Sequence, residues 1–455
     1  MNKFGQNTNQ PAVYFNKLYM KNVRCFKGNH EIDLGNGNGE PSQWTVILGN
    51  NSVGKTTILR LIASLGLRYL EGSNGLSYQF GQTIIPKKYI TFGCKISFFA
   101  DQLLVKEDLK FKILKSENIE EDNESEFVDE FIHENRELFS RMNFSSSIIT
   151  TTNSIHYFYP EDEKLLKFLN LFGYGTSRMM IDSQTVIGNK TQGIFDNKPL
   201  LLNVEEWLKE LNFAYNNDIQ GAKSRFKQVE QILCGGLLPE VTELRITTIP
   251  DKSSFETFPE FLTSQGWVRL EDLGYGYQAT LAWVADLAKR MFDQYPNLEN
   301  PLHGPAVVLV DEIDLHLHPE WQRKIIKYLS DLFPHTQFIV TAHSPLIIQS
   351  AENVNLIMLE KDNNPDGKGI NIRQRFGSFQ GWTVDEILTE LMNMGDRTRS
   401  DLYLQLMEDF ENAVLDDDYE KAQNAYNQLN TILSPSSYQR KVLQIQMSSL
   451  IPVGV

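Results

Sequence analysis

Residues 49–56 satisfy the phosphate-loop pattern GxxxxGK[ST], and this pattern constrains the fold more than any other feature of the sequence. The apolar run 44–48 (WTVIL) before it predicts a buried strand, and residues 56–67 after it predict a helix. A strand, a glycine-containing loop and a helix in this order form the context that the motif requires. The loop residues are Gly49, Asn50, Asn51, Ser52, Val53, Gly54, Lys55 and Thr56.

The chemistry of this loop predicts binding of ATP with Mg²⁺. The glycines let main-chain N–H groups turn inward around the phosphates, and the helix N-terminus adds a positive dipole end. Lys55 would place its charge at the β- and γ-phosphates, and the Thr56 hydroxyl would be a ligand of Mg²⁺. Thr57, the next residue, is included in the predicted nucleotide-binding set.

A second apolar run, AVVLV at 306–310, ends in two carboxylates, Asp311 and Glu312. Asp311 at the strand tip is predicted to hold Mg²⁺ with Thr56, directly or through water. Glu312 is predicted to orient or deprotonate the attacking water. The alternative, a pair of acidic helix caps, fits poorly after five residues of buried type.

A third run, QFIVTA at 337–342, ends at His343, one helix and one strand after Glu312. Strands that alternate with helices indicate a mostly parallel sheet, so both strand ends should lie at the ligand-binding edge. We therefore predict Lys55, Glu312 and His343 as the catalytic residues.

The composition is that of an ordinary globular protein. Of 455 residues, 41% are apolar and 22% charged, which excludes a wholly disordered chain. We expect no membrane span, no signal peptide and a cytoplasmic location. Three distant cysteines argue against disulfides and a cysteine zinc site. The net charge of −15 argues against a general polyanion binder but leaves a local basic surface possible.

Together, the phosphate loop, the strand ending in Asp-Glu and the strand ending in His resemble an ABC-type ATPase. The opening run 18–26 (LYMKNVRCF) resembles the first strand of the SMC, RecF and OLD branch, whereas transporter subunits open differently. The resemblance implies an α/β ABC-ATPase head with a mixed or parallel sheet. It also implies that Arg24 and Phe26 contact the nucleotide.

A further stretch occupies the place of the ABC signature, before the predicted helix 279–291. In this family the signature loop of one protomer closes over the γ-phosphate bound by the other, which implies a homodimer or higher homo-oligomer. The family has Ser where this chain has Gly274, and this puts the hydrolysis rate in question more than dimerisation. An ordinary glycine turn is the alternative. The signature residues are Leu273, Gly274, Tyr275, Gly276, Tyr277 and Gln278.

Two other stretches resemble stand-alone ATPases of anti-phage operons. Residues 311–322 match DEI-[DE]-x-HLHP-x-WQ, and His316 and His318 within them are implied to form a D-loop more than a metal site. Residues 173–178 resemble GYG-x-x-R and make Arg178 a candidate, although a glycine-bearing strand end is an equal alternative. The candidates for the Q-loop are Gln79, Gln82 and Gln102.

The pattern divides the chain into four segments. The tail carries a predicted capping box at 383–386 (TVDE), and we interpret it as an element for oligomerisation or partner docking, or as a plain helical cap. The segments are an N-terminal ATPase lobe at 12–105, an acidic helical or mixed insertion at 106–240, a C-terminal lobe at 241–375 and a helical tail at 376–455.

The overall pattern resembles the ATPase subunit of the Septu anti-phage system, also found beside some retrons, whose partner is an HNH endonuclease. Because His343 is the last histidine and the residues after it do not match a Toprim domain, we expect the nuclease to be a separate polypeptide. Nucleic acid would then be reached through the complex. The alternatives are an ATPase of another defence system, such as the PARIS type, and a RecF-like repair ATPase.

Overall fold

The computed structural model describes most of the chain. The chain divides into two compact units, Met1–Gly381 and Trp382–Val455. Among the described residues, no helix is both long and apolar enough to cross a membrane. The described residues are 12–71, 92–100, 111–114, 145–150, 155–160, 168–178, 190–195, 201–238, 241–252, 254–361 and 369–450.

Fifteen strands are described, all in the first unit. They are β1 (Val13–Val23), β2 (Phe26–Asp33), β3 (Trp44–Gly49), β4 (Phe92–Ala100), β5 (Phe111–Leu114), β6 (Ser145–Thr150), β7 (Ile155–Pro160), β8 (Leu171–Tyr174), β9 (Glu243–Asp251), β10 (Ser254–Thr263), β11 (Gly266–Arg269), β12 (Ala306–Val310), β13 (Thr336–Thr341), β14 (Val354–Lys361) and β15 (Ile370–Gly377).

The described helices lie in both units. They are α1 (Lys55–Glu71), α2 (Gln192–Phe195), α3 (Val204–Asn216), α4 (Ala222–Ile232), α5 (Tyr275–Gln294), α6 (Pro319–Gln322), α7 (Ile325–Leu332), α8 (Pro345–Gln349), α9 (Val384–Glu386), α10 (Asp401–Leu415), α11 (Tyr419–Ile432) and α12 (Tyr438–Ser449). Short 3₁₀ or π segments are Leu233–Leu237, Leu270–Asp272, Pro301–His303, Ile387–Leu391 and Gly395–Thr398.

The central sheet has six strands in the order β15-β14-β3-β13-β12-β8. All neighbours pair in parallel except β15, which pairs antiparallel with β14. The residues of β12 and β13 are buried throughout, which is the pattern of parallel strands covered on both faces. The predicted α/β fold with a mixed, mainly parallel sheet is confirmed.

A second six-stranded sheet has the order β2-β1-β4-β6-β7-β5 and is antiparallel. Three of its strands, together with β8 of the central sheet, fall within 106–240, the segment predicted as a helical or mixed insertion. Strand β6 pairs with the next strand, β7, whereas β8 pairs with the distant β12. Strands of four to six residues give little periodicity of their own. The acidic stretch 116–137 lies outside the described residues.

A third sheet, β11-β10-β9, is antiparallel and immediately precedes α5. The two predicted helices around the site differ from the structure in their bounds. Helix α5 begins at Tyr275, four residues before the predicted start at 279. The helix predicted near 319–333 is divided into α6 and α7, with Arg323 and Lys324 between them.

The second unit is helical, as predicted for the tail, but the predicted boundary at 376 falls inside β15. Its first helix has the predicted capping box, in which the Thr383 N–H donates to Glu386 Oε2 (2.6 Å) and the Glu386 N–H donates to Thr383 Oγ1 (3.2 Å). Helices α10, α11 and α12 share a small apolar core. Its buried residues are Leu406, Phe410, Ala413, Ala422, Ala425, Leu429, Leu443 and Met447.

Candidate functional site

The candidate site lies at one edge of the central sheet. Strands β3, β13, β12 and β8 are parallel neighbours, so their carboxyl ends meet there. The phosphate loop follows β3, Asp311 follows β12, His343 follows β13 and Arg178 follows β8. The sheet thus brings together side chains from four separate parts of the chain.

Lys55 fills the phosphate loop. Its ammonium donates to the main-chain carbonyls of Gly49 (2.7 Å) and Asn50 (3.0 Å). Burial lowers the pKa of Lys55, while the nearby carboxylates, Glu312 first among them, favour its charged form. The ammonium therefore lies at the centre of the loop, where it would meet a bound phosphate.

The two residues predicted from the opening run take different places. Phe26 is fully buried, and a Cβ added to Gly54 would lie 2.8 Å from its ring. Phe26 thus packs against the phosphate loop at Gly54. Arg24 reaches the start of α1, where its guanidinium donates to Thr57 Oγ1 at 3.4 Å. Burial and the neighbouring Arg60 lower the pKa of Arg24.

The two predicted Mg²⁺ ligands are in direct contact. The Thr56 hydroxyl donates to Asp311 Oδ2 at 2.7 Å, although 255 positions separate them in sequence. A hydroxyl and a carboxylate are oxygen donors of the kind that Mg²⁺ prefers, with its other positions taken by phosphates and water. No group of three or more His, Cys, Asp or Glu residues arranged to hold a metal ion by themselves occurs in the described part of the chain.

Asp311 and Glu312 are connected through Thr341 at the end of β13. The Thr341 hydroxyl donates to Asp311 Oδ1 and accepts from the Glu312 N–H, both at 2.6 Å. The predictions from sequence did not include Thr341. Its only signal was a hydroxyl residue near the end of an apolar strand.

Glu312 has a left-handed backbone conformation, with φ of +51°. Such a conformation costs about 1–2 kcal/mol for a residue other than glycine. Its carboxylate lies 3.7 Å from His343 Nε2, and each side chain is about one third exposed. The two predicted catalytic side chains therefore face each other where a ligand can approach.

Asp314 holds the chain that carries His343. One oxygen of its carboxylate accepts from the main-chain N–H of His343 (3.0 Å) and of Ser344 (2.7 Å). The other oxygen is buried and has no hydrogen-bond partner in the structure. Asp314 appeared in the predictions only as part of a matched stretch, because its contact depends on two strand ends meeting.

Arg178 is buried behind the two carboxylates, with 4% of its surface exposed. Its guanidinium donates to the carbonyls of Gly175 (2.9 Å) and Glu312 (2.8 Å), and also to that of Asp311. Burial lowers the pKa of Arg178 to about 10. This value keeps the side chain charged near neutral pH, so a full positive charge lies beneath the acidic strand end.

The signature stretch packs on the D-loop of its own chain. A Cβ added to Gly276 would lie 2.2 Å from the carbonyl oxygen of His316, and the rings of Tyr275 and His316 meet edge to face at 4.8 Å. The Gln278 amide donates to the carbonyl of Leu273 at 2.7 Å. His318 is the N-cap of α6. The candidate Q-loop residues Gln79, Gln82 and Gln102 lie outside the described residues.

Two family models match the chain. The model described as "AAA domain, putative AbiEii toxin, Type IV TA system" matches residues 197–349, and the model described as "AAA domain" matches residues 17–233. Together they span the phosphate loop, Asp311, Glu312 and His343.

The chain is similar to Septu and retron proteins. It is 36% identical over 192 residues to a Septu protein PtuA of Bacillus thuringiensis, covering 41% of this chain and 47% of that protein. It is 25% identical over 422 residues to a Retron Vc95 probable ATPase of Vibrio cholerae, and this match covers 77% of this chain and 80% of that protein. The chain thus spans about half the length of the Septu protein.

Among solved structures, an SMC head bound to the C-terminal winged-helix domain of ScpA aligns with a TM-score of 0.42 and 14% identity, covering 80% of this chain and 97% of that one. Both family models are described as AAA domains, and the Vibrio cholerae relative is described as a probable ATPase.

Proposed function

We propose that this chain is an SMC/RecF-like stand-alone ATPase, which binds and hydrolyses ATP as part of a bacterial anti-phage defence system and thereby controls a separate effector nuclease of HNH type. The observation that carries the nucleotide site is the 2.7 Å contact between Thr56 of the phosphate loop and Asp311 of β12. It joins the predicted phosphate loop and the predicted metal-binding strand end in one site.

ATP is the proposed substrate. Lys55 and the N-terminus of α1 would bind its phosphates, and Arg24 beside Thr57 would add a second positive charge. Thr56 and Asp311 would hold Mg²⁺, which neutralises phosphate charge when it is bound. Glu312 would orient the attacking water and accept its proton, while His343, 3.7 Å from it, would face the γ-phosphate.

We propose that two protomers enclose the nucleotide. The signature loop leaves Gly274 and Tyr275 exposed at the N-terminus of α5, a helix of 20 residues. Main-chain N–H groups at this helix end can bind a phosphate without the Ser hydroxyl of the usual signature. The resulting homodimer would close on ATP, and hydrolysis would be slow.

The effector part of the proposal comes from the resemblance to Septu and retron ATPases. A closed, ATP-bound dimer would restrain the nuclease, and loss of nucleotide would release it. Because a ligand shifts an equilibrium only through its differential affinity, restraint requires that ATP bind the closed form more tightly.

The experiment is light scattering of Glu312→Gln protein with and without Mg-ATP, alone and co-expressed with the product of the adjacent gene. We expect ATP-dependent dimerisation and a larger complex that contains a nuclease. The matched control is the Glu312→Gln, Lys55→Ala double variant, which lacks the phosphate-binding ammonium and should not respond to ATP.

Three outcomes would contradict the proposal. ATP-independent assembly of the double variant would exclude the nucleotide as the switch. A protein that recruits no neighbour and instead binds duplex DNA with a steep salt dependence would favour a RecF-like repair ATPase. Recruitment of an effector that is not a nuclease would favour a defence system such as the PARIS type.

A further inference from the structure

The guanidinium of Arg178 is buried, so we do not expect it to contact a bound ligand directly. It is 4% exposed and lies behind the strand end, so the nucleotide would bind on the other side of Asp311 and Glu312. Its three hydrogen bonds described above all run to main-chain carbonyls. An arginine fork is suited to this task, because its donors are fixed in one plane.

Two of these three carbonyls, those of Asp311 and Glu312, belong to the peptide units on either side of the Glu312 Cα. The Glu312 N–H is held from the opposite side by Thr341 Oγ1 at 2.6 Å. The main chain of Glu312 is therefore hydrogen-bonded on both sides, at its N–H by Thr341 of β13 and at its carbonyl by Arg178. Its left-handed φ of +51° is a conformation that persists only where the surroundings enforce it.

The sequence around Arg178 is built to reach this position. Gly175, at the end of β8, has no room for a side chain, since an added Cβ would lie 2.0 Å from the carbonyl oxygen of Gly193. The Gly175 carbonyl accepts from Arg178 Nε at 2.9 Å, and the ring of Trp283 lies 5.9 Å from the guanidinium carbon. The guanidinium is thus fixed on three sides.

We propose that Arg178 is a positioning residue for ATP hydrolysis, which sets the direction of the Glu312 carboxylate by holding the Asp311 and Glu312 carbonyls. This inference rests on the proposed ATPase function. Weakening the hydrogen bonds from Arg178 to these carbonyls would displace the Glu312 carboxylate, which orients the attacking water, but would leave the phosphate-binding loop intact. A displacement of about 1 Å at such a group lowers the rate by about a hundredfold.

The test uses the full-length Arg178→Lys variant, which keeps a positive charge but cannot bridge the carbonyls as a planar fork. We expect kcat for ATP hydrolysis to fall by about tenfold or more, with the Kd for ATP unchanged within about threefold. In the Glu312→Gln background the same substitution should cause no further loss of kcat, because the group that it positions is already inactive. Arg178→Gln serves as the second variant.

The matched control is Arg290→Lys. Arg290 is also buried, at 8% exposure, but its guanidinium binds Asp286 at 2.6 Å on α5. We expect this control to change stability without a selective loss of kcat. The inference would be overturned by equal losses of kcat in Arg178→Lys and Arg290→Lys, or by an additive loss of kcat in the Glu312→Gln background. Failure of both Arg178 variants to fold would also overturn it. Wild-type protein without ATP hydrolysis would instead overturn the proposed function itself.

Discussion

Replacing Thr341 with Val tests the connection between the two strand ends most directly. Val has nearly the same shape as Thr, so the substitution removes the hydroxyl with little change in packing. The Thr341 side chain is fully buried, and its hydroxyl both donates to Asp311 Oδ1 and accepts from the Glu312 N–H. Its loss leaves a carboxylate oxygen of the buried Asp311 and the N–H of the half-buried Glu312 without these partners.

The magnitude follows from these two groups. A buried polar group left unpaired costs about 1–3 kcal/mol, and the charged carboxylate lies toward the upper end. We therefore expect Thr341→Val to lower the free energy of unfolding by roughly 2–5 kcal/mol. The measurement is urea denaturation of the full-length protein, followed by tryptophan fluorescence.

The same strand supplies a matched control. Thr336 is also fully buried on β13, but its hydroxyl has no hydrogen-bond partner in the structure. We expect Thr336→Val to leave the free energy of unfolding unchanged within about 1 kcal/mol, or to raise it. If the two variants differ by less than about 1 kcal/mol, the hydrogen bonds of Thr341 are not what stabilises the strand end.

Three further predictions test other contacts. Gly276→Ala should lower the free energy of unfolding by about 1–3 kcal/mol and weaken ATP-dependent dimerisation, because the added Cβ would lie 2.2 Å from the His316 carbonyl oxygen. Gly274→Ala is the control and should be near neutral, because the nearest atom to its added Cβ lies at 3.7 Å. Equal shifts of the melting temperature in the two variants would contradict this prediction. Asp314→Ala should lower ATP turnover about tenfold, because it removes the carboxylate that accepts from the His343 and Ser344 N–H groups. Asp314→Asn keeps an oxygen acceptor and should retain more of the ATP turnover. Equal turnover in the two variants would argue that Asp314 does not position His343. Burial raises the pKa of Cys234 to about 12. At about pH 8 the thiolate fraction of Cys234 should therefore be roughly a thousandfold lower in the folded protein than in the urea-unfolded chain, and peptide mapping after alkylation should find this cysteine protected. Rapid alkylation of Cys234 in the folded protein would refute this prediction.

Local patterns were sufficient for the main elements of the site. The predicted strand 306–310 coincides with β12, and the predicted strand 337–342 lies within one residue of β13. Both are continuous apolar runs, a pattern typical of strands covered on both faces. The phosphate loop follows its strand and opens α1 as predicted, because a fixed spacing of glycines and Lys55 depends on nearby residues alone.

The predictions failed where short elements depend on distant partners. Strand β8 has four residues, and only its parallel pairing with β12 makes it part of the central sheet. The segment 106–240 therefore was not predicted to contribute to the site at all, apart from Arg178 as a candidate. Helix α5 begins earlier than predicted and includes Gly276, although glycine has a low intrinsic preference for helices. Gly276 packs directly on the carbonyl oxygen of His316, a contact that exists only in the folded chain.

The sequence by itself determined the phosphate loop, the acidic strand end and the α/β order, since each is written in neighbouring residues. Only the tertiary structure decided what surrounds Glu312. Thr341 lies 29 positions from it and Arg178 lies 134 positions away, and both reach its main chain. No spacing rule connects such positions, because their contact exists only after β8, β12 and β13 have paired and brought their carboxyl ends to one edge.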